Sequence, residues 1–160
     1  MTSSSPRRLL FVCTGNICRS PMAEMIAKRL AGEGGLPWTA ESAGVAAEVG
    51  QGMTDGAIHA LKQLGINDEK HVARQLNEAM LQEADDVYVM TVAHRSTILS
   101  RFPIYADKVH LLREAAGLAG HDVADPWGHS DAVYVECSTL INKSLEILAR
   151  RHHSHAGNHR

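Results

Sequence analysis

Residues 8–13 read RLLFVC and run straight into Thr14-Gly15-Asn16-Ile17-Cys18-Arg19, after which Ser20-Pro21 opens a new segment. This junction constrains the fold more than any other stretch. A short, nearly continuous apolar run suits a strand covered on both faces. Proline suits the first turn of a helix, where its missing N–H costs nothing. Met22, Met25, Ile26 and Leu30 then fall on one helical face, and Gly32, Gly34 and Gly35 are expected to end it. The same alternation recurs downstream. Strands are predicted over residues 38–43, 86–90 and 108–112, and helices over 55–64, 77–84, 93–102 and 131–150. On the last helix Val133, Cys137, Leu140, Ile141, Leu145 and Leu148 form the expected apolar stripe. Strands that alternate with helices imply an α/β fold with a parallel sheet and helices on both faces. Ligands of such sheets bind beyond the carboxyl ends of the strands, which directs attention to the loop after the first strand.

That loop has the parts of an oxyanion site. A tight turn between a strand and a helix N-terminus aims several backbone N–H groups into one concavity, and the helix dipole adds to it. Gly15 permits backbone geometry that a side chain would block, and Asn16 tolerates the left-handed region. Arg19 offers a planar fork to two phosphate oxygens. Cys13 at the floor of this electropositive cup is favoured as the anion and becomes a covalent nucleophile toward phosphorus. The Ser20 hydroxyl is placed to donate to the sulfur. A nucleotide-binding phosphate loop is the rival for any such cradle, but it needs Gly-Lys followed by Ser or Thr at the helix start. This chain has Cys18-Arg19-Ser20 there, and that dipeptide–hydroxyl signature nowhere.

Expelling an alkoxide or phenolate needs a proton donor. Asp125, in Asp125-Pro126-Trp127-Gly128, is the candidate. Pro126 restricts Asp125 to extended backbone, and Trp127 offers an aromatic wall for a flat side chain. Composition narrows the class further. A length of 160 residues suits a single domain, with a core over about 8–150 and frayed tails at 1–7 and 150–160. The net charge of −2 gives no general attraction to nucleic acid or anionic membrane. Three cysteines without framework spacing argue against a disulfide scaffold and for a reducing compartment. Residues 9–12 are too short an apolar stretch for a signal peptide, so a cytoplasmic protein is expected. Cys18 sits in the same loop as Cys13, where a reversible disulfide protecting Cys13 is one reading and a packed small side chain the other. His94 and Arg95 are expected on an ordinary helix surface.

Taken together, VCTGNICRSPMAE (residues 12–24), ESAG (41–44), HVARQL (71–76), DDVYVM (85–90) and DPWG (125–128) resemble the low-molecular-weight protein-tyrosine phosphatases over about residues 8–150. The resemblance implies a four-stranded parallel sheet in a flavodoxin-like α/β/α sandwich. It implies Cys13 as nucleophile, Arg19 as phosphate holder and Asp125 as general acid. Thr14, Gly15, Asn16, Ile17, Cys18 and Arg19 would supply the phosphate-binding amides, and Asn16, Ser20, Ser42 and His71 a network bracing the loop. No metal and no cofactor are implied. The expected substrate is a phosphotyrosine-containing protein, bound by a monomer or weak dimer. DPWG is similar to the bacterial branch, which includes protein-arginine phosphatases; in those a Thr occupies the position of Ile17, and Ile17 favours phosphotyrosine. Residues 45–52 lack the aromatic that eucaryotic relatives carry, which thins one pocket wall. Related arsenate reductases need two further relay cysteines near mid-chain, and nothing between Cys18 and Cys137 is Cys. A non-catalytic phosphate-binding or redox module is the alternative of a different class.

Overall fold

In the computed structural model, which describes residues 6–67 and 70–157, β1 (Arg7–Cys13) lies inside a parallel sheet. The other strands are β2 (Trp38–Gly44), β3 (Asp86–Val89) and β4 (Val109–Leu111), in the order β2-β1-β3-β4. Cys13 pairs with Gly44, Val12 with Val89, and Val89 with Leu111. All four strands therefore end at one edge, the flavodoxin-like arrangement.

The alternation of β1 splits its side chains between two cores. Leu9, Phe11 and Cys13 join Met22, Ile26, Ala57, Ile141 and Leu145, which come from helices α1 (Arg19–Gly34), α2 (Asp55–Gln63) and α6 (Asp131–Gly157). Leu10 and Val12 join Leu81 and Ile98 on the other face, from α3 (Glu78–Glu83) and α4 (Val92–Arg101). Phe11 and Val12 are fully buried, as a strand covered on both sides requires. Truncating Phe11 to Ala should cost about 3–5 kcal/mol. Among the described residues no helix is long and apolar enough to cross a membrane.

Several sequence expectations shift. Residue 7 is not tail: the Arg7 guanidinium donates to both carboxylate oxygens of Asp86, at 2.8 and 3.0 Å, and so extends β1. The last helix does not stop at residue 150 but continues to Gly157. Arg151 donates to the carbonyls of Ala115 and Ala116, and the sequence offers no breaker before Gly157. Residues 1–5 and 158–160 lie outside the described residues. Helix α1 passes through Gly32 and Gly34 and closes at Gly35, which takes the left-handed cap at φ 64°. The buried stripe of α6 is Tyr134, Cys137, Ser138, Ile141, Ser144, Leu145 and Ala149; Val133, Leu140 and Leu148 are only partly covered. Strand β4 is shorter than expected. Lys108 turns to cap α3 through the carbonyls of Leu81 and Ala84, and Leu112 opens a short helix, α5 (Leu112–Ala115).

Candidate active site

The loop from β1 to α1 curls against the end of β2. The close approach requires Gly44, because a Cβ there would collide with the Thr14 carbonyl oxygen and lie 3.1 Å from the Asn16 amide nitrogen. The amides of Val45 and Ala46 bond the carbonyls of Cys13 and Thr14, both at 3.0 Å. Among the described residues Asn16 alone of the non-glycines has positive φ, 60°.

The Asn16 side chain organises the back of the loop. Its amide donates to the hydroxyls of Ser20 at 2.8 Å and Ser42 at 3.0 Å, and its oxygen accepts the Arg74 amide at 3.0 Å. The Ser42 hydroxyl donates onward to Glu24 at 2.6 Å. His71 Nε2 lies 2.6 Å from the Asn16 carbonyl oxygen, which can only accept, so Nε2 carries the proton. With Asn16 filling an acceptor site of Ser20, the Ser20 hydrogen is free for its nearest acceptor. That is Cys13 Sγ at 2.9 Å; the Ala43 carbonyl is farther, at 3.4 Å. Asn16, Ser20 and Ser42 are almost wholly buried. Asn16 thus braces the loop from behind and does not line the cleft.

The cleft itself, of about 280 Å³, is lined by Cys13, Thr14, Gly15, Ile17, Cys18, Arg19, Ala46, Glu48, Asp125 and Trp127. Arg19 is 4% exposed. A charge so buried must be paired: Nη1 donates to the Val123 carbonyl at 2.8 Å, and Nη2 lies 3.7 Å from the Asp125 carboxylate. The acid-bearing segment is fixed at further points. The Val123 amide bonds the Met90 carbonyl at 2.8 Å, Asp122 accepts the Val92 amide at 2.9 Å, and Arg113 donates to the Asp122 carbonyl at 3.0 Å. The Asp125 carboxylate accepts the Trp127 amide at 3.1 Å, and the Trp127 ring stands exposed beside it. A sulfur, a buried guanidinium and a carboxylate on one wall, above an amide-lined loop, can capture phosphorus, hold its oxygens and pass a proton.

Some participants escape a reading of the sequence. His94 is not on the helix surface but buried, with Nε2 2.8 Å from the Thr14 hydroxyl. Burial, and then the charge of Arg19, pull its pKa down to about 4. Cys18 lies within 3.5 Å of Thr54 Oγ1 and 3.4 Å of the Tyr134 hydroxyl. Burial pushes the Cys18 thiol up, while the bonds to Thr54 and Tyr134 pull the other way. The Tyr134 ring packs where a Cβ on residue 56 would fall, which makes Gly56 obligatory. Cys137 is a core residue as expected, its thiol pushed up to about 12 by burial. The mark of these partners in the sequence is faint, a lone His in the first turn of α4 and a lone Tyr in the first turn of α6.

A family model described as low molecular weight phosphotyrosine protein phosphatase matches residues 8–156. The chain is 39% identical over 145 residues to a protein-arginine-phosphatase of Bacillus subtilis (strain 168), which covers 89% of this chain and 95% of that protein. It is 33% identical over 136 residues to the low molecular weight protein-tyrosine-phosphatase Ptp of Acinetobacter johnsonii, covering 84% and 90% of the two chains. Among solved structures, the low molecular weight protein tyrosine phosphatase from T. tengcongensis superposes with a TM-score of 0.87 at 39% identity, over 91% of this chain and 99% of that one. A mutant of Bacillus subtilis YwlE gives 0.85 at 39% identity, over 91% and 97%. The match spans strand, loop and acid segment alike, and the chain belongs to the low molecular weight phosphotyrosine protein phosphatase family.

Proposed function

We propose that the chain hydrolyses phosphotyrosine in proteins through a phosphocysteine on Cys13. The observation that carries this reading is the 2.9 Å contact of Cys13 Sγ with Ser20 Oγ at the floor of the cleft that Arg19 and Asp125 share. In the first step the sulfur forms a bond to phosphorus and the phosphorus–oxygen bond to the tyrosine breaks. Asp125, protonated, gives its proton to the departing phenolate. Arg19 and the loop amides hold the three equatorial oxygens, where charge is spread in the transition state. In the second step the Asp125 carboxylate takes a proton from water, water oxygen bonds phosphorus, and the sulfur leaves as the thiolate. The Ser20 hydroxyl donates to that thiolate, which makes it a better leaving group. Ile17 and the exposed Trp127 ring supply the apolar walls for a flat aromatic side chain.

Phosphoarginine is the second reading, favoured by the 39% identity to the Bacillus subtilis protein-arginine-phosphatase. Ile17 argues the other way, because a branched apolar side chain offers a guanidinium no acceptor. Turnover of matched phosphotyrosine and phosphoarginine peptides separates the two. The phosphotyrosine reading predicts higher kcat/KM for the former, and a shift toward phosphoarginine in Ile17→Thr. A parent enzyme that prefers phosphoarginine overturns it.

A further inference from the structure

Thr14, on the wall of the cleft, is paired with His94, and the two-step chemistry uses neither side chain. Thr14 is exposed and lines the cleft, whereas the His94 ring is buried behind it. Their side chains meet at 2.8 Å. His94 Nδ1 is buried with no protein partner. A proton on Nδ1 would be a buried donor with nothing to receive it. The burial of the ring, and then the positive charge of Arg19, also disfavour a doubly protonated imidazole. With its single proton on Nε2 the ring donates to Thr14 Oγ1 and leaves Nδ1 bare. This bond fills an acceptor site of the hydroxyl and leaves its own hydrogen without an acceptor on the His94 side, free to turn into the cleft.

We infer that the Thr14 hydroxyl is a further donor to a phosphoryl oxygen of the substrate, held in its donating orientation by His94. Thr14 touches the substrate; His94 is a positioning residue that acts through it. The inference rests on the phosphatase reading above, and adds to the loop amides and Arg19 a side-chain donor contributed by the residue that follows the nucleophile.

The test measures binding of inorganic phosphate by calorimetry, together with kcat and KM for an aryl phosphate, in the parent, Thr14→Val, His94→Leu, the double variant and His94→Gln. Loss of a hydrogen bond to a charged oxygen predicts that Thr14→Val weakens phosphate binding about tenfold or more. His94→Leu reproduces most of that loss. The double variant is no weaker than Thr14→Val alone, since both act on one bond. His94→Gln, whose amide N–H reaches the place of Nε2, recovers most of the affinity. Parent-like phosphate binding in Thr14→Val overturns the inference, and so do additive losses in the double variant, which would make His94 mere packing. If His94→Leu does not fold, Thr14→Val and His94→Gln decide alone. A parent that neither binds phosphate nor turns over an aryl phosphate sinks the phosphatase reading and the inference with it. A parent that does both, beside an unimpaired Thr14→Val, sinks only the role of the hydroxyl.

Discussion

The guanidinium of Arg19 holds the Val123 carbonyl at 2.8 Å while its other terminal nitrogen lies 3.7 Å from the Asp125 carboxylate. One buried cation thus joins the phosphate loop to the segment that carries the acid. Arg19→Lys keeps the charge but loses the fork, and a point charge cannot serve a main-chain oxygen and two phosphate oxygens together. The expected loss in kcat is about 10²–10³-fold, the scale of one preorganised transition-state donor. Steady-state kinetics on an aryl phosphate check it; a variant within threefold of the parent (roughly 0.7 kcal/mol) would deny Arg19 that place.

Asp125→Asn keeps the shape of the acid segment and the bond to the Trp127 amide but removes the transferable proton. General acid catalysis is worth about 10²–10⁴-fold. The penalty should be large for phenyl phosphate and small for an ester whose leaving group is stable as the anion. A series of aryl phosphates of graded leaving-group acidity measures this, and equal losses across the series would remove Asp125 from the proton transfer.

Burial of neutral His94 makes stability depend on pH. Its pKa is about 4 in the folded chain against 6.5 for the exposed imidazole. Between those values the unfolded chain binds more protons than the folded one, so stability rises with pH across the window and falls as pH drops from 6.5 toward 4. The full shift corresponds to on the order of 3 kcal/mol. Arg19 favours the neutral ring, while Asp122 and Asp125 favour the charged one. Urea unfolding of parent and His94→Leu over this range gives the difference, in which the carboxylates common to both cancel. The parent should lose more stability than the variant on acidification; parallel curves would mean that His94 takes up its proton as readily in the fold as in the unfolded chain.

Gly44→Ala places a methyl against the Thr14 carbonyl oxygen. Backbone cannot yield as a side-chain tip can, so a destabilisation of about 1–3 kcal/mol is expected. Activity should fall as well, since the displaced atoms belong to the phosphate loop. Thermal unfolding and turnover of the same preparation check both. A stable, fully active variant would show that the loop tolerates movement.

Sequence and structure agree best where the physics is local. The strand, the tight loop and the Ser20-Pro21 helix start are legible because each depends on neighbours a few residues away, and Cys13, Arg19 and Asp125 do meet in one cleft. The bracing of the loop by Asn16, Ser42 and His71 was legible through resemblance alone. The sequence holds no sign of the Glu24 carboxylate beneath Ser42. Thr14 and His94 are 80 residues apart; only the register of β1 with β3 brings the start of α4 against the loop, and a lone His on a helix looks like surface. The last turns of α6 are illegible for a similar reason. Charged and His-rich turns look like tail until Arg151 is seen to reach the Ala115 carbonyl.

A covalent bond between Cys13 and phosphorus is the step on which the proposed chemistry depends. Rapid acid quench of the Asp125→Asn variant during turnover of an aryl phosphate, followed by peptide mass spectrometry, looks for it directly. The prediction is one phosphoryl group on the peptide that carries Cys13, absent from Cys13→Ala prepared in the same way. Turnover retained in Cys13→Ala, or a phosphoryl group found on another residue of the active parent, would contradict it.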